Sequence, residues 1–328
     1  MKPILGMFKL RFVIVTLLLL GLFTACRDTA QIDRGTFPPL PSFDSLLLSP
    51  EGVAKVSEQD SQMATLWGQL LGASPEESSA NILQRFATDT LIRRVEDTIL
   101  RVFPLGKRPD AALQQAFARL QALLPGHPKP RLCYYHSGFL ASFLVADSLL
   151  AVGLDRFLGA ESSFYTALGM PRYLAAQMRP ADIVPRALES WLSSEFPLGT
   201  SRPSILEQMI YNGKLKAVVE ELLPEMEDTL SLQYSASALD WLEASEKEVW
   251  TYLSEKRLLY EKNQLLVSQF TRPAPFTSAF GQESPGEAVN WIGYRIVQSY
   301  RRAHPEMGLD ALFALPAETL LQQSKYRP

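Results

Sequence analysis

Residues 181–223 read ADIVPRALESWLSSEFPLGTSRPSILEQMIYNGKLKAVVEELL. Apolar side chains recur there every three or four positions. Ile183, Val184, Ala187, Leu188, Trp191, Leu192 and Phe196 form one stripe. Leu206, Met209, Ile210 and Gly213 form a second, continued by Val218, Val219, Leu222 and Leu223. That spacing predicts two helices, each with one face turned to a core. Asp182 is the candidate N-cap of the first, and Pro197 ends it. Gly213 inside the second costs about 1 kcal/mol against alanine. The cost suggests that another backbone passes close by. Helices of this kind could frame a catalytic centre, yet the pair carries no usable set of catalytic or metal-binding groups.

Before this pair, residues 131–139 (RLCYYHSGF) and 148–154 (SLLAVGL) are short and aromatic or aliphatic, with turn residues at their ends. They read as two strands of a small antiparallel sheet. Helices are expected over 57–71, over 76–103 with a break near Thr88-Asp89-Thr90, over 109–124, over 171–178 and over 239–260. Ser284-Pro285-x-Glu287 reads as a capping box opening a helix to Arg302, with Val289, Ile292, Gly293, Ile296 and Tyr300 inward. A short final helix starts near Leu309 or Pro316. The fold class is therefore mainly α with a small antiparallel sheet, in one domain over residues 57–328.

The chain has 328 residues, 47% hydrophobic and 20% charged, which suits a full core. Residues 1–25 contain Lys2, Lys9 and Arg11 and no acid; without those three charges the formal −3 becomes about −6. An acidic body is a poor footprint for nucleic acid. The positive start is followed by an apolar run from Phe12 to Phe23, the length of a signal-peptide core and short for a bilayer span. Leu22-Phe23-Thr24-Ala25-Cys26 looks like a bacterial lipobox, with Phe23 where leucine is usual. Cleavage before Cys26, lipidation of its sulfur and palmitate-type acylation of the new amine would anchor the chain by several acyl chains. Residues 26–56 then hold the lipidated cysteine and a proline-bearing tether. Cys133 is the one other cysteine, so a lipidated Cys26 leaves no intrachain disulfide.

Catalytic chemistry finds little footing. The three histidines are His127, His136 and His304, and no His-Glu-x-x-His occurs. His136 reads as a hydrogen-bonded structural histidine, and His127 and His304 as solvated turn residues. Gly-x-Ser-x-Gly is absent, and Asn212-Gly213-Lys214 lacks the lead of a phosphate loop. Carboxylate pairs stay open as acid–base candidates: Asp155 with Glu161, or Glu189 with Glu195 near Asp182. Asp155, beside Gly153, is the least surface-like, because a loop aspartate often caps neighbouring amides. Glu243, Glu246, Lys247, Glu248, Glu255 and Lys256 read as one solvated helix face. Exposed tryptophans would instead suit a polysaccharide-binding module.

From Arg131 onward, ordered markers accumulate: SGF (137–139), VGLDRFLG (152–159), MRPADIVP (178–185), LEQMIYNGK (206–214), PAPF (273–276), SPG (284–286), WIGYRIVQSY (291–300) and the closing SKYRP. Together they resemble the GldB family of gliding motility lipoproteins of Bacteroidetes. The resemblance implies a non-enzymatic cell-envelope lipoprotein, held at the inner or outer membrane, needed for gliding and linked to type IX secretion. It implies partners among the gliding and secretion machinery and no cofactor. It also extends distantly to a group of zinc peptidases, whose first helix of this pair would carry His-Glu-x-x-His. Here that helix reads Ala187-Leu188-Glu189-Ser190-Trp191 and the second keeps Tyr211-Asn212-Gly213. The implied scaffold is a metallopeptidase-like helical core without the zinc motif. Asp155, Gly153, Tyr211 and Gly213 are the signature positions, and Cys26 is the lipidation site.

Overall fold

The computed structural model describes residues 37–328. Cys26 and the expected leader lie outside the described residues. The helices in chain order are α1 (Phe43–Leu47), α2 (Gly52–Gln59), α3 (Ser61–Leu70), α4 (Ser79–Thr88), α5 (Thr90–Val102) and α6 (Asp110–Leu123). Then come β1 (Arg131–Tyr135), β2 (Phe143–Ala146) and β3 (Leu149–Gly153). The rest is helical: α7 (Ser163–Ala167), α8 (Arg172–Ala175), α9 (Ile183–Glu195), α10 (Ile205–Leu222), α11 (Asp228–Ser231), α12 (Ala236–Glu255), α13 (Gln264–Thr271), α14 (Ala288–Ala303), α15 (Leu309–Ala314) and α16 (Ala317–Ser324).

The sheet order is β1-β3-β2. The two segments read as antiparallel neighbours, β1 and β3, pair in parallel, Arg131 opposite Leu149 and Tyr135 opposite Gly153. The reason is β2, which the sequence reading left inside a connection. It reverses the chain once after β1 and again at Asp147-Ser148, so β3 returns in the direction of β1. The antiparallel pair is β2 with β3. The sheet is thus mixed.

Alternate side chains of β1 and β3 face two cores, as a period of two requires. Cys133, Tyr135, Leu149 and Ala151 meet Phe43, Leu47, Val56, Met63, Trp67 and Leu83 on one side. Leu132, Tyr134, Leu150 and Val152 meet the large core of α5, α6 and the later helices on the other. The stretch read as tether therefore supplies α1 and α2 to the folded body. Its apolar residues are few but buried, and Asp44 forms a buried ion pair with Arg108, 2.6 Å apart. Residues 41–42 also flank β1, the Pro41 carbonyl accepting from Tyr134 N at 2.9 Å.

The helix break at Asp89 is as expected: its carboxylate accepts from Leu91 and Ile92 and caps α5. The expected helix from Ser57 is split, because the carboxylate of Asp60 caps a new start by accepting from Met63 N. Asp182 does not cap α9 with its side chain. Its carboxylate turns back to Arg179, accepting from the backbone N at 2.8 Å and from the guanidinium. Nor is Ser284–Glu287 a capping box. Ser284 Oγ ties the loop at Thr277, and Glu287 sits in the left-handed region at φ 59°. α9 lies against β2 and β3, and α10 crosses α14 in the largest helix contact of the described residues.

Candidate functional site

α10, the second of the two helices, meets α14 at a glycine crossing. A Cβ on Gly213 would stand 2.3 Å from Gly293 C, and one on Gly293 would stand 1.8 Å from Met209 O. Both distances are impossible for a real side chain, so the backbones themselves touch. Ser204 and Glu207 start α10 with reciprocal bonds. The next residue, Lys214, is buried and donates to the carbonyls of Phe313 and Leu315 at 3.1 and 2.7 Å. Ala187 and Trp191, where the distant peptidase resemblance would place histidines, are buried core side chains, and Trp191 packs edge-on to Phe117.

Tyr211 lies half-buried near Glu189 at the edge of this frame. Burial, then the charge of Glu189, pushes its hydroxyl up to about 12. Glu189 is held by the side-chain amide of Gln233, a left-handed residue at φ 60°. Burial pushes the Glu287 carboxyl above the ordinary carboxylate range. The Lys216 ammonium opposes that shift and Glu189 adds to it. Glu287 accepts from Asn290 Nδ2 at 2.9 Å, and Asn290 in turn accepts from Asn212 Nδ2 at 3.0 Å. Lys216 donates to Leu232 O at 2.8 Å and stands 4.7 Å from the centre of the Tyr234 ring. Glu189, Lys216, Glu287, Asn290 and Asn212 each have a protein partner, so these bonds tie α9, α10 and α14 together. Gln233 escaped the sequence reading, and Glu287 was read only as a cap, because left-handed residues do not follow helical periodicity.

Asp155 is fully buried. Its Oδ1 accepts from Ser137 N at 2.8 Å, and its Oδ2 accepts from Ser137 Oγ at 2.7 Å and from Phe139 N. These bonds hold Gly138 and Phe139 in the left-handed region, at φ 67° and 63°. A phenylalanine resists that conformation, so the fixed carboxylate has to impose it. Gly153 lets the Ala141 carbonyl approach; a Cβ would stand 2.4 Å from that oxygen. Arg156 closes the loop by donating to Phe139 O at 3.1 Å. Glu161 is exposed and shares no partner with Asp155. Glu195 is engaged elsewhere, with His127, so neither expected carboxylate pair forms a site.

The histidines also differ from expectation. His127 is clamped, its Nδ1 2.9 Å from Glu195 and its Nε2 2.7 Å from Asp310; the Glu195 bond leads in raising its pKa. His304 stacks on Tyr300. His136 is buried with neither nitrogen bonded to any described residue, against the rings of Phe86 and Phe139. Burial lowers its pKa. Glu246 leaves the supposed solvated face of α12: it accepts from Trp291 Nε1 at 3.1 Å and Tyr326 Oη at 2.8 Å. Cys133 is buried and its thiol is pushed up by burial. Trp191 and Trp291 are buried, and Trp241 and Trp250 pack half-buried on the core, so the four make no sugar platform. Among the described residues, no three His, Cys, Asp or Glu side chains are grouped to hold a metal ion.

The fold and these joints define a mainly helical α+β protein organised on a tight helix crossing. The chain belongs to the gliding motility protein GldB family, whose profile matches residues 41–328. No curated protein and no solved structure matches it.

Proposed function

We propose that this chain is a non-catalytic lipoprotein of the cell envelope, anchored through Cys26, that serves gliding motility and the linked type IX secretion by binding a partner protein. The observation that carries the reading is the family match over residues 41–328. Two features support it. The lipobox-like Leu22–Cys26 follows an apolar run of signal-peptide length. Among the described residues, no helix is long and apolar enough to cross a membrane, which suits a lipid as the anchor. The non-catalytic part draws support from Ala187 and Trp191 packed in the core, and from Glu189 and Asp155 bonded into joints.

The test is complementation of a deletion strain with wild-type protein and with Cys26→Ala. Wild type restores gliding and fractionates with membranes, whereas C26A is unlipidated and restores neither. Full gliding with an unlipidated, soluble product sinks the anchoring role. Glu189→Gln and Asp155→Asn, at normal protein level, separate structure from catalysis: loss of gliding without loss of thermal stability would favour an enzyme.

A further inference from the structure

We infer that the cleft between α5 and residues 158–164 receives an acidic, extended peptide segment of a partner protein, with Arg94 and Arg101 as the carboxylate receptors. This deepens the partner-binding reading above and rests on it. The cleft has a volume of about 430 Å³, and α5 supplies one wall. Arg94 and Arg101 are seven residues apart, two helical turns, so both project along one stripe. Both are exposed, and among the described residues neither has a carboxylate within 4.0 Å. Arg101 is already posed: its Nε donates to Asp97 O at 3.2 Å and a terminal nitrogen to Thr98 Oγ1 at 2.7 Å.

The facing wall is rigid. Leu158 N donates to Tyr165 Oη at 2.9 Å, and that hydroxyl donates to Asp155 O at 3.0 Å. Gly159 N donates to Met178 O at 2.9 Å. The buried Asp155 joint therefore fixes the wall, and the Phe164 ring sits 6.0 Å from that of Phe139. The hydroxyls of Ser162 and Ser163 donate to no described residue. A preformed wall lowers the ordering cost of binding.

Spacing selects the ligand. Seven residues of α-helix span about 10 Å along the axis. One phosphate cannot bridge that distance. Two carboxylates three residues apart on an extended polyproline-II segment, with three residues per turn and about 3.1 Å per residue, share one face and match it. Leu158 and Phe164 provide apolar contact, and Asp97, the one acid in the lining, lies between the two arginines on α5. Two arginines against the single Asp97 leave the cleft positive within an otherwise acidic body, which favours an acidic partner and disfavours a basic one.

The probe is a fluorescein-labelled peptide with glutamates three positions apart and leucine between them, titrated with the full lipidated protein in detergent. Binding is expected, weakening with salt. The double variant R94Q/R101Q, and a peptide with glutamine for glutamate, should each bind at least about tenfold more weakly, which is 1.4 kcal/mol. R94E/R101E should instead bind the same peptide carrying lysines. Circular dichroism must match wild type. Equal binding by R94Q/R101Q, no binding by wild type, or preference for an oligogalacturonate over the peptide overturns the proposal. In cells, R94E/R101E at normal level should stop gliding. If it glides while C26A does not, the cleft fails and the envelope reading stands.

Discussion

Burial without a partner is the main anomaly at the scale of single residues, and Glu96 is its clearest case. It is 4% exposed, and no described residue donates to either oxygen. Burial pushes its carboxyl up to about 8; the Asp44 charge adds to this, and Arg108 opposes it. Arg108 is itself occupied, donating to both oxygens of Asp44 and lying 5.1 Å from the centre of the Tyr134 ring. A carboxyl whose folded pKa lies above its unfolded value of 4.5 favours folding fully below that value. The contribution then fades as pH rises toward 8. Glu96→Gln keeps the shape and removes the titration. The variant should equal wild type near pH 4.5 and exceed it by a few kcal/mol at pH 8, read from urea midpoints. A difference that stays constant with pH contradicts the assignment. The sequence could show Glu96 only as one of two adjacent acids in an amphipathic helix, since its neighbours come from α1 and from the turn before α6. Asp155 is similar. Its type and place beside Gly153 indicated an amide-capping aspartate, but the amides it binds lie in a loop 16–18 residues earlier.

Among the secondary-structure elements, the α10–α14 crossing carries the most contact. Glycine at both Gly213 and Gly293 removes the side chains that would hold the axes apart. Gly293→Ala gains about 1 kcal/mol of helix propensity. It also places a methyl 1.8 Å from Met209 O, which forces the helices apart. Overpacking of this kind typically costs about 1–3 kcal/mol, and more where backbone must move. The net expectation is a clear fall in melting temperature, and an unchanged or raised value would refute the contact. Alanine at Gly126, which meets no neighbour within 4 Å, is the control. Apolar spacing was enough to find both helices, and Gly213 to suggest a close backbone. That the backbone belongs to Gly293, 80 residues on, was not legible. Sheet direction was not legible either, because β2 is a four-residue apolar run with no alternation of its own.

For the molecule as a whole, the sheet is shared by two cores, so neither should fold without the other. α1 and α2 supply Phe43, Leu47 and Val56 to the smaller core and Asp44 to Arg108. A chain starting at residue 37 should unfold in one transition, followed by the fluorescence of Trp67 and Trp191 on opposite faces. A chain starting at residue 57 should bind a hydrophobic dye and aggregate, having lost three buried apolar side chains and stranded a buried guanidinium. Equal stability of the two would show that α1 and α2 are dispensable. Function at this scale follows the same division. The sequence by itself determined the apolar run ending at Cys26, the helical class, the family markers and the apolar residues Ala187 and Trp191, because these rest on residue type and local period. Only the tertiary structure decided that the expected tether is part of the core, that the sheet is mixed, and which residues pair. It also decided that Asp155, Glu189 and Glu246 are joints while Arg94 and Arg101 are left to face a cleft. Burial and charge pairing join residues far apart in the chain, and no local pattern encodes their distance.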